Sequence, residues 1–149
     1  MILDELGEFA DALALSTAAT GIANVGDIID LGAGSRPLYD IADLYLVINI
    51  DTAVTSAGAA TVQFLLVSDA GAIAVDGSAS QHWASAAIPK ATLVAGYVVG
   101  VVPLPKLPIY ERYLGVQQNV GTAALTAGKI NAFLTRDPYN WTAIADGNQ

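Results

Sequence analysis

Residues 43–51, Asp-Leu-Tyr-Leu-Val-Ile-Asn-Ile-Asp, are the stretch of sequence that decides the fold. Leucine or isoleucine occupies every second position on one face, while Tyr45, Val47 and Asn49 occupy the other, which is the two-residue period of a β-strand. Residues 61–68 repeat this alternation after a short polar loop that contains glycine. The arrangement predicts two strands that form an antiparallel pair.

The chain beyond this pair also consists of short apolar runs separated by turn residues. Residues 92–102 are rich in valine and predict a strand that is buried on both faces and bent at Gly96 or Gly100. Residues 69–80 predict a loop or an irregular hairpin, and no long helix is predicted. The pattern predicts an all-β fold, an antiparallel sandwich or barrel. The remaining predicted strands cover residues 24–31, 110–120 and 129–135.

The sequence predicts three regions. Residues 1–20 carry apolar side chains at helical spacing, interrupted by Gly7, and predict an arm or a short helix that packs elsewhere, for instance on a neighbouring subunit. Residues 21–136 are predicted to form the β-sandwich domain, and residues 137–149 a C-terminal tail. The acidic N-terminus lacks a basic segment and is not predicted to be a signal peptide. The helix-spaced side chains are Ile2, Leu6, Phe9 and Leu13.

The composition limits the classes of function. Of the 149 residues, 54% are hydrophobic and only 13% are charged, and the net charge is −8. A negative field repels a phosphate backbone, so no nucleic-acid partner is predicted. The longest apolar run, residues 91–104, is shorter than the roughly 18 residues of a membrane-spanning helix, so no membrane partner is predicted either. The scarcity of charge favours an oligomer or a component of a larger assembly.

The sequence offers little for catalysis. Cysteine is absent and His82 is the only histidine, which excludes a thiolate nucleophile and ordinary zinc sites. His82 could act as a general base beside Ser80 or Ser85, but neighbouring residues of a strand point to opposite faces. A structural pairing of His82 with Trp83 is the favoured interpretation.

The acidic residues do not form a recognisable site. The loop aspartates lack the ligand spacing of an EF-hand and are predicted to be solvated, although the sequence leaves open whether they hold an ion. Glu111 is predicted to form a surface ion pair with Arg112. The sequence therefore predicts no catalytic residue, cofactor or metal, and a protein that is not an enzyme. The loop aspartates are Asp40, Asp43, Asp69 and Asp76.

Eight short segments together resemble a known family in their order and spacing over about residues 1–135. They cover residues 1–4, 29–32, 44–53, 58–62, 88–89, 93–97, 112–116 and 125–134. On these segments the chain resembles the small capsid cement, or decoration, proteins of podovirus-type tailed bacteriophages.

This resemblance implies a jelly-roll subunit that forms a homotrimer. The trimer is expected to bind the outer surface of an icosahedral capsid in the virion and to bridge copies of the major capsid protein, after synthesis in the cytoplasm of the host bacterium. The alternatives are another virion β-sandwich, such as a tail or head-fibre component, and a carbohydrate-binding module. Apolar residues of the arm and one tryptophan of the tail are predicted to contact protein partners. They are Ile2, Leu3, Leu6, Phe9 and Trp141.

Overall fold

The computed structural model describes residues 7–32, 43–106 and 109–138, and these residues form a β-sandwich of nine strands. The described part contains no helix long and apolar enough to cross a membrane. The nine strands, arranged in two antiparallel sheets, confirm the predicted all-β class. The strands are β1 (Glu8–Ala14), β2 (Gly21–Asp30), β3 (Tyr45–Ser56), β4 (Thr61–Asp69), β5 (Ser80–Ala84), β6 (Ile88–Pro89), β7 (Val98–Pro103), β8 (Tyr113–Gly121) and β9 (Leu125–Thr135).

The two sheets have the strand order of a jelly roll. The first sheet runs β1-β9-β3-β7 and the second runs β2-β8-β4-β5, with β6 pairing β4 beside β5. All pairings are antiparallel. Apart from β6, the strands form nested pairs from the ends of the chain inward: β1 with β9, β2 with β8, β3 with β7 and β4 with β5. One long hairpin wrapped around a core gives this order, as the double Greek key of a jelly roll requires.

The core lies between the two sheets, where alternate side chains of β3, β4, β8 and β9 meet. Ile48 and Ile130 from the first sheet and Phe64 and Leu66 from the second are almost completely buried there. Burial of a side chain of this size contributes about 1.5–3 kcal/mol. The alternation in residues 43–51 correctly grouped Leu46, Ile48 and Ile50 on one face of β3, and the structure shows that this face meets the core.

The predicted pairing of β3 with β4 is wrong. β3 pairs with β7 and β9 in the first sheet, whereas β4 pairs with β5, β6 and β8 in the second. The short connection after Ser56 carries the chain across the core instead of turning within one sheet. Alternation indicates which side chains face the core but not which sheet receives the strand, since both inner faces point to the same core.

Residues 8–14 are a strand of the sandwich, so the prediction of an arm or helix is wrong for this part of the chain. β1 pairs with β9, and Phe9 is 1% exposed in the core. Two register shifts and a positive φ at Ala12 interrupt the strand, which breaks its two-residue period. Gln118 fixes the connection that follows β1, because its side chain accepts a hydrogen bond from Ser16 N (2.8 Å) and donates one to Ser16 O (2.9 Å).

The valine-rich run after residue 92 forms an edge strand, which corrects the prediction of a strand buried on both faces. β7 covers only Val98–Pro103, and its exposed and partly exposed residues show that one face meets solvent. The preceding residues turn at Gly96, whose φ is +83°. A run of β-branched residues has no polar side to mark its outer face, so its burial was overestimated.

Candidate interaction surface

His82 belongs to a buried polar cluster. Its Nε2 lies 2.7 Å from Ser68 Oγ, and its ring stacks on Tyr110 with 3.9 Å between the ring centroids. The predicted partner Trp83 instead packs its ring against Gly100 of β7. The cluster therefore joins β4 and β5 to the segment before β8.

The histidine–serine contact cannot serve as a nucleophilic site. Ser68 has no exposed surface, and its Oγ accepts a hydrogen bond from Glu111 N at 3.0 Å. A substrate therefore has no approach to this hydroxyl. Tyr110 donates a hydrogen bond to the carbonyl oxygen of Pro105 (2.7 Å), and burial raises the pKa of Tyr110 to about 12.

The serines predicted near His82 make other contacts. Ser80 Oγ donates to the carboxylate of Glu111, and Ser85 Oγ donates to the carbonyl oxygen of Ala86. Ser85 Oγ also accepts from the backbone N–H of Phe64. These bonds fix strands and loops, and they present no activated hydroxyl.

The predicted ion pair between Glu111 and Arg112 is wrong, because Arg112 pairs with Asp30. Its Nε and Nη2 donate to the two carboxylate oxygens of Asp30 at 2.9 and 2.8 Å. This pair, with a further hydrogen bond from Gly32 N, lowers the pKa of Asp30 to about 2. Both side chains are largely exposed, so the pair adds little stability.

Two of the loop aspartates, Asp69 and Asp76, organise turns. Asp69 accepts a hydrogen bond from Gly71 N, and Asp76 accepts bonds from the backbone and side chain of Ser78. The bonds from Ser78 lower the pKa of Asp76. No group of three potential metal ligands converges in the described ranges, and Asp40 lies outside them.

Of the predicted interaction residues, the structure places only Phe9. Phe9 is enclosed by its own chain and has no surface to offer a partner. The others lie outside the described residues, and they are Ile2, Leu3, Leu6 and Trp141.

The connection between β4 and β5 is pinned onto the outer face of the second sheet. Ile73 packs on apolar side chains of β4. The buried Gln117 amide donates to Ala74 O (2.8 Å) and Asn24 Oδ1 (2.9 Å), and Asn24 in turn donates to Ile73 O (3.2 Å). These bonds cover the centre of that face with a fixed loop.

The outer edge of the first sheet carries several exposed apolar side chains. We call residues 93–104 the β7 edge. Backbone hydrogen bonds from Val54 N to Leu93 O and from Leu104 N to Leu44 O show that this segment follows β3 along its length. Three valines of the β7 edge are strongly exposed, namely Val94 (52%), Val98 (51%) and Val101 (43%).

The other sheet edges are protected. A carbonyl group of β1 lies against β2 at Gly26, so the sandwich is closed on that side. β2 carries acidic residues and a register shift after Val25, and β5 has only five residues. Charges, irregularities and short strands are the usual protection of edges against pairing with another chain. The β7 edge has no charge from residue 91 to residue 105.

A shallow depression of about 320 Å³ lies beside one end of the β7 edge. Lys90 is its only charged lining residue, and its Nζ already donates a hydrogen bond to the carbonyl oxygen of Ser56. The remaining lining is small or apolar.

The strand order of the two sheets defines an all-β, jelly-roll-like sandwich domain. A family model, Bbp16, matches residues 9–134, and the chain belongs to the Bbp16 family. No curated protein matches the sequence significantly.

The valines of the β7 edge are the surface residues that the sequence analysis missed. A signal was present, because Lys90 and Lys106 bracket the run and Pro103 ends it. A proline within an apolar run favours an edge strand over a central one.

Proposed function

We propose that this protein binds the outer surface of an icosahedral phage capsid and stabilises the shell by bridging subunits of the major capsid protein. The observation that carries the proposal is the uncharged β7 edge with its three exposed valines. Such a surface on an otherwise closed sandwich is suited to contact with another protein. The proposed partner, the major capsid protein, is inferred from the resemblance over residues 1–135.

Bridging stabilises a shell without any reactive side chain. A protein that binds the assembled lattice and not separated subunits shifts assembly by mass action. At a free concentration one hundred times the Kd, each occupied site contributes about 2.7 kcal/mol. The buried hydroxyl of Ser68 and the pinned loops are consistent with a rigid binding body.

The test uses shells of the encoding phage assembled without this protein. Adding the purified protein is expected to raise the temperature at which the shells rupture, in proportion to the occupied sites. A variant with Val98→Lys and Val101→Lys is expected to lose the effect, and Val75→Lys, on the β4–β5 loop, serves as the matched control. An unchanged rupture temperature at saturating wild-type protein contradicts the proposal.

The number of copies in the binding unit is tested separately. The resemblance implies a trimer, and light scattering coupled to size exclusion is expected to show a species near three times 15.3 kDa. A monomer in solution leaves shell binding possible only if the copies associate on the capsid.

A carbohydrate-binding module is the alternative from a different class. Such a site presents exposed aromatic rings, yet Trp83 packs on Gly100 and Tyr110 is buried. Tyr113 lies under the guanidinium of Arg112, 4.9 Å from its ring centroid. The aromatic side chains of the described ranges thus do not favour this alternative.

A further inference from the structure

We infer that His82 acts as a pH-sensitive switch inside the sandwich. While its ring is neutral, it holds β5 and residues 109–112 against β4, and protonation of the ring loosens both. The inference goes beyond the proposed function, since it concerns the body of the fold and holds whatever partner the protein binds. A histidine suits this role because its ordinary pKa, about 6.5, lies close to physiological pH.

A β-bulge places His82 between β5 and its neighbours. The register of β4 with β5 shifts between Leu66 and Val67, and His82 is the extra residue of β5 at that point. A bulge redirects a side chain from the direction that regular alternation gives it. The residue is only 8% exposed, and its ring contacts Ser68 of β4 and stacks on Tyr110. One side chain thus joins three parts of the chain.

The contacts of Ser68 assign the proton of the neutral ring. Ser68 Oγ accepts a hydrogen bond from Glu111 N at 3.0 Å and lies 2.7 Å from His82 Nε2, and these are its two hydrogen-bonding contacts among the described residues. Ser68 has no exposed surface, and a buried hydroxyl proton needs an acceptor. Ser68 therefore donates to Nε2, and the neutral ring carries its proton on Nδ1.

Protonation of the ring breaks this arrangement. A protonated histidine carries a hydrogen on both nitrogens, so Nε2 can no longer accept from Ser68. The hydroxyl must turn away, and its proton then lacks an acceptor in a buried place. Burial also disfavours a charged ring. Both effects weaken proton binding by the folded protein, so the stabilisation from His82 is complete above the ordinary pKa of about 6.5 and is lost as pH falls below it.

Neighbouring carboxylates act in the opposite direction, because a negative charge favours a protonated histidine. The carboxylate of Glu111 accepts a hydrogen bond from Ser80 Oγ, and that of Asp69 accepts one from Gly71 N. We expect the hydroxyl of Ser68 to prevail, since it contacts the titrating nitrogen directly. The charged and titratable groups on β4, β5, β8 and residues 109–112, besides His82 itself, are Asp69, Tyr110, Glu111, Arg112 and Tyr113.

NMR of the imidazole ring tests the switch on the wild-type protein. His82 is the only histidine, so its ring nitrogens give unambiguous signals. We expect the Nδ1-protonated form at pH 7.5. At pH 5.5, where an ordinary histidine is about nine-tenths protonated, we expect fewer than half of the rings to be protonated. Protonation of Nε2 at pH 7.5, or of more than half of the rings at pH 5.5, would overturn the inference.

Ser68→Ala tests whether the hydroxyl is the cause. The change removes the donor that conflicts with a protonated Nε2, so the midpoint of the His82 titration is expected to rise by about half a pH unit or more. Ser85→Ala is the matched control, because the hydroxyl of Ser85 bonds to Phe64 N and Ala86 O, and its midpoint is expected to stay at the wild-type value. Equal midpoints in the two variants contradict the assigned role of Ser68.

Amide hydrogen exchange measures whether protonation loosens the fold. We compare pH 7 with the pH at which His82 is mostly protonated, after correction for the intrinsic pH dependence of exchange. The amides of residues 80–84 and of Glu111 are expected to lose about tenfold or more protection relative to those of β3 and β9. His82→Gln keeps a hydrogen-bonding side chain that does not titrate, so its protection is expected to be equal at both pH values.

The exchange results decide whether His82 controls these segments. Unchanged protection in the wild type, or the same loss in His82→Gln, means that it does not, and the inference is wrong. If His82→Gln fails to fold, Ser68→Ala takes its place, and a loss as large as that of the wild type is then the contradicting result.

Discussion

Replacing Gly26 by alanine tests whether the N-terminal segment is an integral part of the sandwich. An added Cβ lies 1.8 Å from the carbonyl oxygen of Phe9 in β1, and contacts under 3.0 Å do not occur, so that oxygen must move by about 1.2 Å. The backbone φ at Gly26 is also positive, at +74°. Alanine therefore forces β1 away from β2 and loosens the packing of Phe9.

The expected loss has two parts. The left-handed conformation costs about 1–2 kcal/mol for a residue with a Cβ. Losing the burial of a phenylalanine adds about 3–5 kcal/mol, a large part of the 5–15 kcal/mol that stabilises a typical domain. Gly96→Ala is the matched control, because Gly96 has a φ of +83° but open space around its added Cβ.

Urea unfolding of both variants measures the difference. Gly96→Ala is expected to lower the free energy of unfolding by about 1–2 kcal/mol, and Gly26→Ala by about 4 kcal/mol or more. If the two losses agree within about 0.5 kcal/mol, β1 does not close the sandwich and the packing described for Phe9 is wrong.

Three further predictions concern single contacts. Tyr110→Phe removes a hydroxyl hydrogen bond and is expected to lower the free energy of unfolding by about 0.5–1.5 kcal/mol in urea. The unfolded chain loses the tyrosine proton near pH 10 and the folded protein near pH 12, so the stabilisation from Tyr110 is lost between these values, and Tyr110→Phe lacks that loss. Arg112→Gln is expected to return the pKa of Asp30 from about 2 toward 3.8, as measured by carboxyl NMR titration. The stabilisation from Asp30 is present above pH 3.8 and lost as pH falls through about 2; an unchanged pKa contradicts the pairing. Gln117→Leu is expected to speed amide exchange in residues 70–79 and to lower the free energy of unfolding by about 1–3 kcal/mol, and unchanged exchange means that the amide does not hold the loop.

The sequence was sufficient to predict the positions of the strands with regular alternation. β3 and β4 keep a two-residue period along most of their length, and their predicted starts lie close to the observed ones. The partners of these strands could not be predicted, because pairing depends on which residues distant in sequence meet across the sandwich. The pairing of β3 with β9 joins residues about 80 positions apart, for example Asn49 and Asn131.

The predictions for two segments were wrong, and each error has a physical reason. In β1, register shifts interrupt the two-residue period, and the adjacent residues Phe9 and Ala10 are both buried, so the sequence lacks the alternation of a regular strand. In β7, valine occurs on both faces of the strand, so the sequence does not indicate which face meets solvent. The contact between His82 and Ser68 could not be predicted from the sequence either, because it joins neighbouring strands through side chains 14 positions apart. The sequence did indicate that His82 need not be catalytic, and its buried stacking on Tyr110 agrees with a structural role.

A binding isotherm on intact shells tests the central claim most directly. Purified protein is titrated onto shells of the encoding phage that lack it, and the bound fraction is measured by sedimentation, with dissociated shell subunits as the comparison. We predict saturation at a fixed ratio to the major capsid protein, with much weaker binding to the dissociated subunits. Non-saturable binding, or equal affinity for shells and free subunits, would contradict a role in holding the assembled capsid together.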